Sequence, residues 1–119
     1  LRELDKFRGS QMWAPEKQKD FYSGVTDALR EYISERYGIG AMEMTTAEIF
    51  DQMKGTDVPE KLQKDTKELF DRADFVKFAK YVASEDENAA TLPLAVRFVT
   101  ETYQAEIVAE EEKEEGGVE

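Results

Sequence analysis

Arg36-Tyr37-Gly38-Ile39, followed by Met44-Thr45-Thr46-Ala47-Glu48-Ile49, is the stretch that decides the fold. Gly38 stands where a helix should stop, because glycine enters the left-handed C′ conformation without a Cβ penalty. Thr45 followed three residues later by Glu48 is the pattern of a capping box. In that arrangement the hydroxyl and the carboxylate each satisfy a backbone N–H left open at a helix start. One helix therefore ends at about Tyr37 and another begins after Thr45. A short connection joins them, with Ile39 and Met44 pointing inward.

Upstream, Phe21, Val25, Ala28, Leu29, Tyr32 and Ile33 recur at three- and four-residue spacing and predict a helix from Glu16 to Tyr37. Asp27, Arg30 and Glu31 fall on its solvent side. Trp13-Ala14-Pro15 opens this element, with proline acceptable in a first turn and Trp13 as a core anchor. Before it, Leu1, Leu4 and Phe7 share one helical face, and Gly9-Ser10 interrupts the segment.

Downstream, the Thr45 helix runs to about Lys54, burying Ile49, Phe50 and Met53, and stops at Gly55. Asp57 as cap and Pro59 in the first turn start the next helix. Leu62, Thr66, Leu69, Ala73 and Val76 carry its apolar stripe towards Ala83, widened by Phe70, Phe78 and Ala79, either as one helix or broken near Asp71–Asp74. Ser84 to Asn88 reads as a polar loop. The last helix begins at either Asn88 or Thr91, with Pro93 in or near its first turn. Its inner face is Ala95, Phe98, Val99 and Thr102, and it fades after Ile107. No stretch alternates as a strand does. The expectation is an all-α compact bundle of four to five helices with short loops, formed by residues 1–109, and an acidic disordered tail over 110–119.

At 119 residues the chain is one domain, and 40% hydrophobic content suits a packed core. It holds no apolar run long enough to span a membrane. It begins at Leu1 rather than Met, without a signal-peptide pattern, and reads as an excised piece of a longer protein. Cysteine and histidine are both absent, which removes disulfides, thiolate metal sites and the commonest general base. Carboxylate-only metal sites and carboxylate or lysine catalysis are the chemistries left. The net charge is −11, and residues 81–119 carry two basic and eleven acidic side chains of it. Such a balance opposes nucleic-acid binding.

None of the chemical motifs is complete. Asp71, Asp74 and Lys77, spaced by three, read as an exposed ion-pair row rather than a carboxylate site. Glu85-Asp86-Glu87 lacks the ligand alternation and central glycine of an EF-hand. Gly38-Ile39-Gly40 follows no strand and has no phosphate-binding lysine. The aromatics Phe21, Tyr22, Tyr32 and Tyr37 share one helix; a base-stacking surface would need basic residues around them, and core packing explains most of them. No catalytic, cofactor-binding or metal-ligating residue is therefore assigned. The acid-rich edge Glu85, Asp86 and Glu87, with the neighbouring last helix, is the candidate partner surface, suited to a basic protein.

From Trp13 to Thr102 the sequence resembles a known family. The segments that carry this are Phe21-Tyr22-Ser23, Thr26-Asp27-Ala28-Leu29-Arg30-Glu31-Tyr32-Ile33, Arg36-Tyr37-Gly38-Ile39, Met44-Thr45-Thr46-Ala47-Glu48-Ile49 and Ala73-Asp74-Phe75-Val76-Lys77-Phe78-Ala79-Lys80. Asp86-Glu87-Asn88 and Phe98-Val99-Thr100-Glu101-Thr102 extend them. They resemble the soluble C-terminal domain of an uncharacterised family of bacterial single-span membrane proteins. Its genes lie beside those of MoxR-type AAA+ ATPases and von Willebrand A proteins. The organisation is similar to that of the cytoplasmic tail of BatD-type aerotolerance proteins. The resemblance implies a non-enzymatic, protein-interaction domain on the cytoplasmic side of the bacterial inner membrane. It would be anchored through a segment outside this chain and would work with an AAA+ ATPase or von Willebrand A partner. The glutamate-rich end after Val108 departs from the family pattern. Two other readings stand beside it: an acidic helix-turn-helix-like regulatory domain, and a small carboxylate-based ligand-binding or hydrolase bundle.

Overall fold

The structure, a computed structural model, describes residues 15–117. They form four α-helices and no strand: α1 (Pro15–Tyr37), α2 (Thr46–Met53), α3 (Glu60–Phe78) and α4 (Glu85–Gly117), with a 3-10 turn at Ala41–Glu43. The fold is an all-α bundle, as the helical spacing predicts. The α1 helix packs on α3, on α4 and on the 3-10 turn, and α3 also packs on α2 and α4. Trp13 and the Leu1–Phe7 segment lie outside the described residues.

The deciding stretch behaves as its residues dictate. Gly38 adopts φ +68° and donates its N–H to Ser34 O at 3.0 Å, closing α1. Thr45 Oγ1 accepts from the Glu48 N–H at 3.2 Å, and the Glu48 carboxylate accepts from the Thr45 N–H at 2.9 Å. These bonds hold the Glu48 carboxyl below its ordinary range. Ile39 is buried in the connection and Met44 packs at the core's edge. Arg30, expected in solvent, instead donates from one nitrogen to the carbonyls of Ala41 and Met44 and stacks 5.6 Å from the Phe70 ring centre. It fixes the α1–α2 connection, satisfying the Met44 carbonyl and adding a second bond to the Ala41 carbonyl, which already accepts the Met44 N–H at 3.3 Å.

Phe21, Tyr22, Val25, Leu29 and Ile33 of α1 meet Ile49, Phe50 and Met53 of α2, Leu62, Leu69, Phe70, Ala73 and Val76 of α3, and Ala95, Phe98 and Val99 of α4. Phe50 and Phe70 contact edge to face at 5.2 Å. The stripe Leu62, Thr66, Leu69, Ala73, Val76 is buried as expected. Phe78 is not: it is 78% exposed, and Ala79 is exposed too. Two residues turn a helix by about 200°, so Phe78 lies nearly opposite Val76 rather than beside it. The helix also stops there, without reaching Ala83.

Two helix starts are corrected. Asp57 does not cap α3; Pro59 is the boundary residue and makes no side-chain cap. The α4 helix begins at Glu85, not at Asn88 or Thr91, because Ser84 and Glu87 form a second capping box. Ser84 Oγ accepts from Glu87 N–H at 3.1 Å, and Glu87 Oε1 accepts from Ser84 N–H at 2.9 Å. Pro93 consequently lies inside the helix. Helical backbone continues to Gly117, past the fade after Ile107 read from the sequence. Ala109 to Glu115 is all alanine, glutamate and lysine, strong helix formers that propagate an existing helix.

Candidate functional site

The chain turns sharply between α3 and α4. Lys80 takes φ +57°, the left-handed region that only glycine enters without strain. The Ala79 and Tyr81 N–H groups both reach back to Phe75 O, at 3.0 and 3.1 Å. The reversal leaves Tyr81 and Val82 beside Phe75 instead of under it. Phe75 and Tyr81 meet edge to face at 6.5 Å, and they are 57% and 42% exposed. With Ala79 and Val82 they floor an open groove of about 800 Å³. Phe78, with Lys77 Nζ 5.4 Å above its ring, stands free alongside. Large exposed apolar side chains grouped in this way mark contact surfaces.

A buried polar network holds the groove's inner wall. Gln18 of α1, 2% exposed, accepts the Ala83 N–H at 2.9 Å and donates to Ala83 O at 3.3 Å. Tyr22, fully buried, donates to Asn88 Oδ1 at 2.9 Å. Asn88 returns a bond to Ala83 O at 3.4 Å. Thr91 Oγ1 lies 3.1 Å from the Tyr22 hydroxyl and 2.8 Å from Glu87 O, so its single hydrogen serves one of them at a time. Burial pushes the Tyr22 hydroxyl's pKa up. The α3–α4 connection is thus fastened to α1 by groups far apart in sequence, and Asn88 turns into the core instead of capping a helix.

Glu87 links this network to the groove. Its Oε1 accepts from Tyr81 OH at 2.6 Å as well as from Ser84, and its Oε2 lies 3.4 Å from Arg72 Nε. The Tyr81 bond first, then the Ser84 N–H, hold the carboxyl below its ordinary range, while the same Tyr81 bond raises the tyrosine's pKa. Such a carboxylate is a poor proton acceptor near neutrality. Of the three acidic residues expected as a partner surface, Glu87 is therefore occupied, and Glu85 and Asp86 are exposed beside it in the first turn of α4.

The expected acid–acid–base row on α3 separates. Asp71 pairs with Lys67 at 3.0 Å, Asp74 accepts from Thr46 Oγ1 at 2.7 Å, and Lys77 lies over Phe78. Along the groove the charges are ordered. Glu68 and Asp71 stand before Phe75, and Lys80 stands after it. Asp71 has Lys67 and Arg72 has Glu87, but Glu68 and Lys80 have no charged partner among the described residues. Among those residues, no group of three or more acidic side chains comes together to hold a metal ion.

The Ser84–Glu87 box was legible, since Ser-x-x-Glu is the same signal as Thr45-x-x-Glu48. Gln18, Asn88 and Arg72 carried no local signal, because their partners are remote in the chain. No family model matches this sequence, and no curated protein or solved structure matches it either.

Proposed function

We propose that this is a non-enzymatic protein-interaction domain, held at the cytoplasmic side of a bacterial inner membrane by a segment outside this chain and working with a MoxR-type AAA+ ATPase or a von Willebrand A protein. The system and the location come from the family resemblance. The observation that carries the interaction reading is the surface where α3 meets α4: Phe75, Phe78, Tyr81 and Val82 are 57%, 78%, 42% and 56% exposed at one reversal of the chain. That surface is open rather than deep. Its carboxylates Asp71 and Glu87 are engaged by Lys67 and Arg72, which favours contact over catalysis.

Glu85 and Asp86 extend this surface with exposed acid, which suits a basic partner patch. At about 1.5 Å per residue, residue 110 lies nearly 40 Å along α4 from Glu85, several times the screening length of about 8 Å in physiological salt. Titrating the intact chain with each partner protein at two salt concentrations tests the reading. Binding should weaken as salt rises and should be lost on Phe75→Glu. Absence of binding to both the ATPase and the von Willebrand A protein refutes it. The regulatory alternative would show instead as a salt-dependent shift with DNA.

A further inference from the structure

We propose that the groove between α3 and α4 takes a second copy of this chain, making a closed two-fold dimer. The inference deepens the interaction reading and rests on the groove being a contact surface. Its basis is the order of groups along the groove: a carboxylate, Glu68, then an apolar middle of Phe75, Tyr81 and Val82, then an ammonium, Lys80, the two charges having no charged partner among the described residues.

Such a strip is complementary to itself when turned end for end. A two-fold axis passing near Phe75, perpendicular to α3, lays the aromatic middle of one copy on that of the other. The same rotation brings Glu68 of each copy to Lys80 of its partner. An isologous contact of this kind uses one patch twice and closes at two subunits, so it does not propagate into a filament. It also covers Phe75, Tyr81 and Val82, so a second copy and a partner protein compete for this surface. A copy placed parallel would set Glu68 against Glu68 and Lys80 against Lys80, which selects the antiparallel arrangement. The net charge of −11 on each copy opposes association at long range, so the dimer is a weak one held by its apolar centre.

Charge exchange tests the arrangement. Sedimentation equilibrium of the intact chain over roughly 10 µM to 1 mM covers the range of weak interfaces. Wild type should pass from monomer to dimer. Glu68→Lys and Lys80→Glu should each weaken dimerisation about tenfold or more, because each turns both symmetric pairs repulsive. An equimolar mixture of the two variants should recover it as a heterodimer. There the two introduced charges, opposite in sign, face each other, and the native Glu68 of one chain faces the native Lys80 of the other. Both sites are exposed, and far-UV circular dichroism checks that the variants fold. As an independent measurement, Phe75→Cys, beside the two-fold axis in a chain with no cysteine of its own, should form a disulfide-linked dimer, suppressed by adding Glu68→Lys. A wild type that stays monomeric throughout overturns the proposal. So do single variants that associate like wild type, or a mixture that fails to recover. A monomer that still binds the ATPase removes the dimer and leaves the proposed function standing; a dimer that binds neither partner protein does the reverse.

Discussion

Replacing Tyr22 by Phe removes one oxygen from the network that fastens α1 to the α3–α4 connection. The ring stays, together with its edge-to-face contact to Phe21 at 5.3 Å. Thr91 keeps Glu87 O at 2.8 Å, so its hydrogen is still used. Asn88 keeps its bond from Nδ2 to Ala83 O, but Oδ1 loses the Tyr22 hydroxyl, and Asn88 is only 1% exposed. A net hydrogen bond contributes about 1 kcal/mol and a buried acceptor left without a partner costs about 1–3 kcal/mol, so the expected loss is about 2 kcal/mol. For a domain of this size that lowers the melting midpoint by roughly 8 °C.

Urea unfolding of wild type and Tyr22→Phe, followed by circular dichroism, measures the difference, with an unchanged slope showing that only stability has moved. Pairing Tyr22→Phe with Asn88→Ala in a double-mutant cycle should give a coupling of about 1 kcal/mol or more. Alkaline pH supplies a second signature. The Tyr22 pKa is raised above its ordinary 10.0, chiefly by burial. Its neutral form therefore supports the fold fully below pH 10, and that support is lost as pH rises through the folded-state value. The gap between wild type and Tyr22→Phe should narrow above pH 10. A loss below about 0.5 kcal/mol, the scale of an ordinary surface change, would refute the claim that this network fastens the turn.

Thr45→Ala should cost about 1 kcal/mol in denaturant unfolding, the usual loss for an N-cap hydroxyl. Phe78→Ala should cost less than about 0.5 kcal/mol while Phe70→Ala costs about 3–5 kcal/mol; equal losses would contradict the assigned inner face of α3. Thr66→Val should raise stability by about 1 kcal/mol, because the Thr66 hydroxyl is fully buried without a hydrogen-bond partner and valine keeps its shape. Glu87→Gln should flatten the acid limb of the stability curve. The Glu87 pKa lies below its ordinary 4.5, so its contribution is complete above that value and disappears as pH falls through the lowered one. An acid limb identical to wild type would exclude it.

The parts of the fold legible in the sequence are those set by neighbours within one or two helical turns. Gly38 needs only its own φ, and Thr45 needs only Glu48, so both are readable. The stripe from Leu62 to Val76 follows from helical spacing alone. Phe78 is misplaced by hydrophobicity, which extends the stripe beyond what its angle supports. Trimming the helix at residue 78 and counting about 100° per residue puts it outside. Ser84 escapes notice because the run Glu85-Asp86-Glu87 reads as a solvated loop, although acids are favoured in a helix's first turn.

The candidate site resists reading for a deeper reason. Its wall is made by pairs such as Gln18 with Ala83 and Tyr22 with Asn88, more than sixty residues apart, and no local pattern announces them. A buried glutamine on an apolar face carries a cost in isolation and makes sense only once the Ala83 backbone is placed against it. The network then explains why the surface above it can be apolar. The polar groups of the turn are satisfied inward, by Gln18, Asn88 and the Phe75 carbonyl. Phe75, Tyr81 and Val82 are released from that task and can be presented outward at a fixed angle. Loosening the network should therefore weaken partner binding or dimerisation without touching any contact residue. Gln18→Ala is the variant that separates the two effects. It removes the acceptor for the Ala83 N–H while leaving every groove side chain in place. Its expected result is a folded chain of lower stability whose association is weakened; association unchanged at wild-type strength would show that the groove keeps its shape without α1.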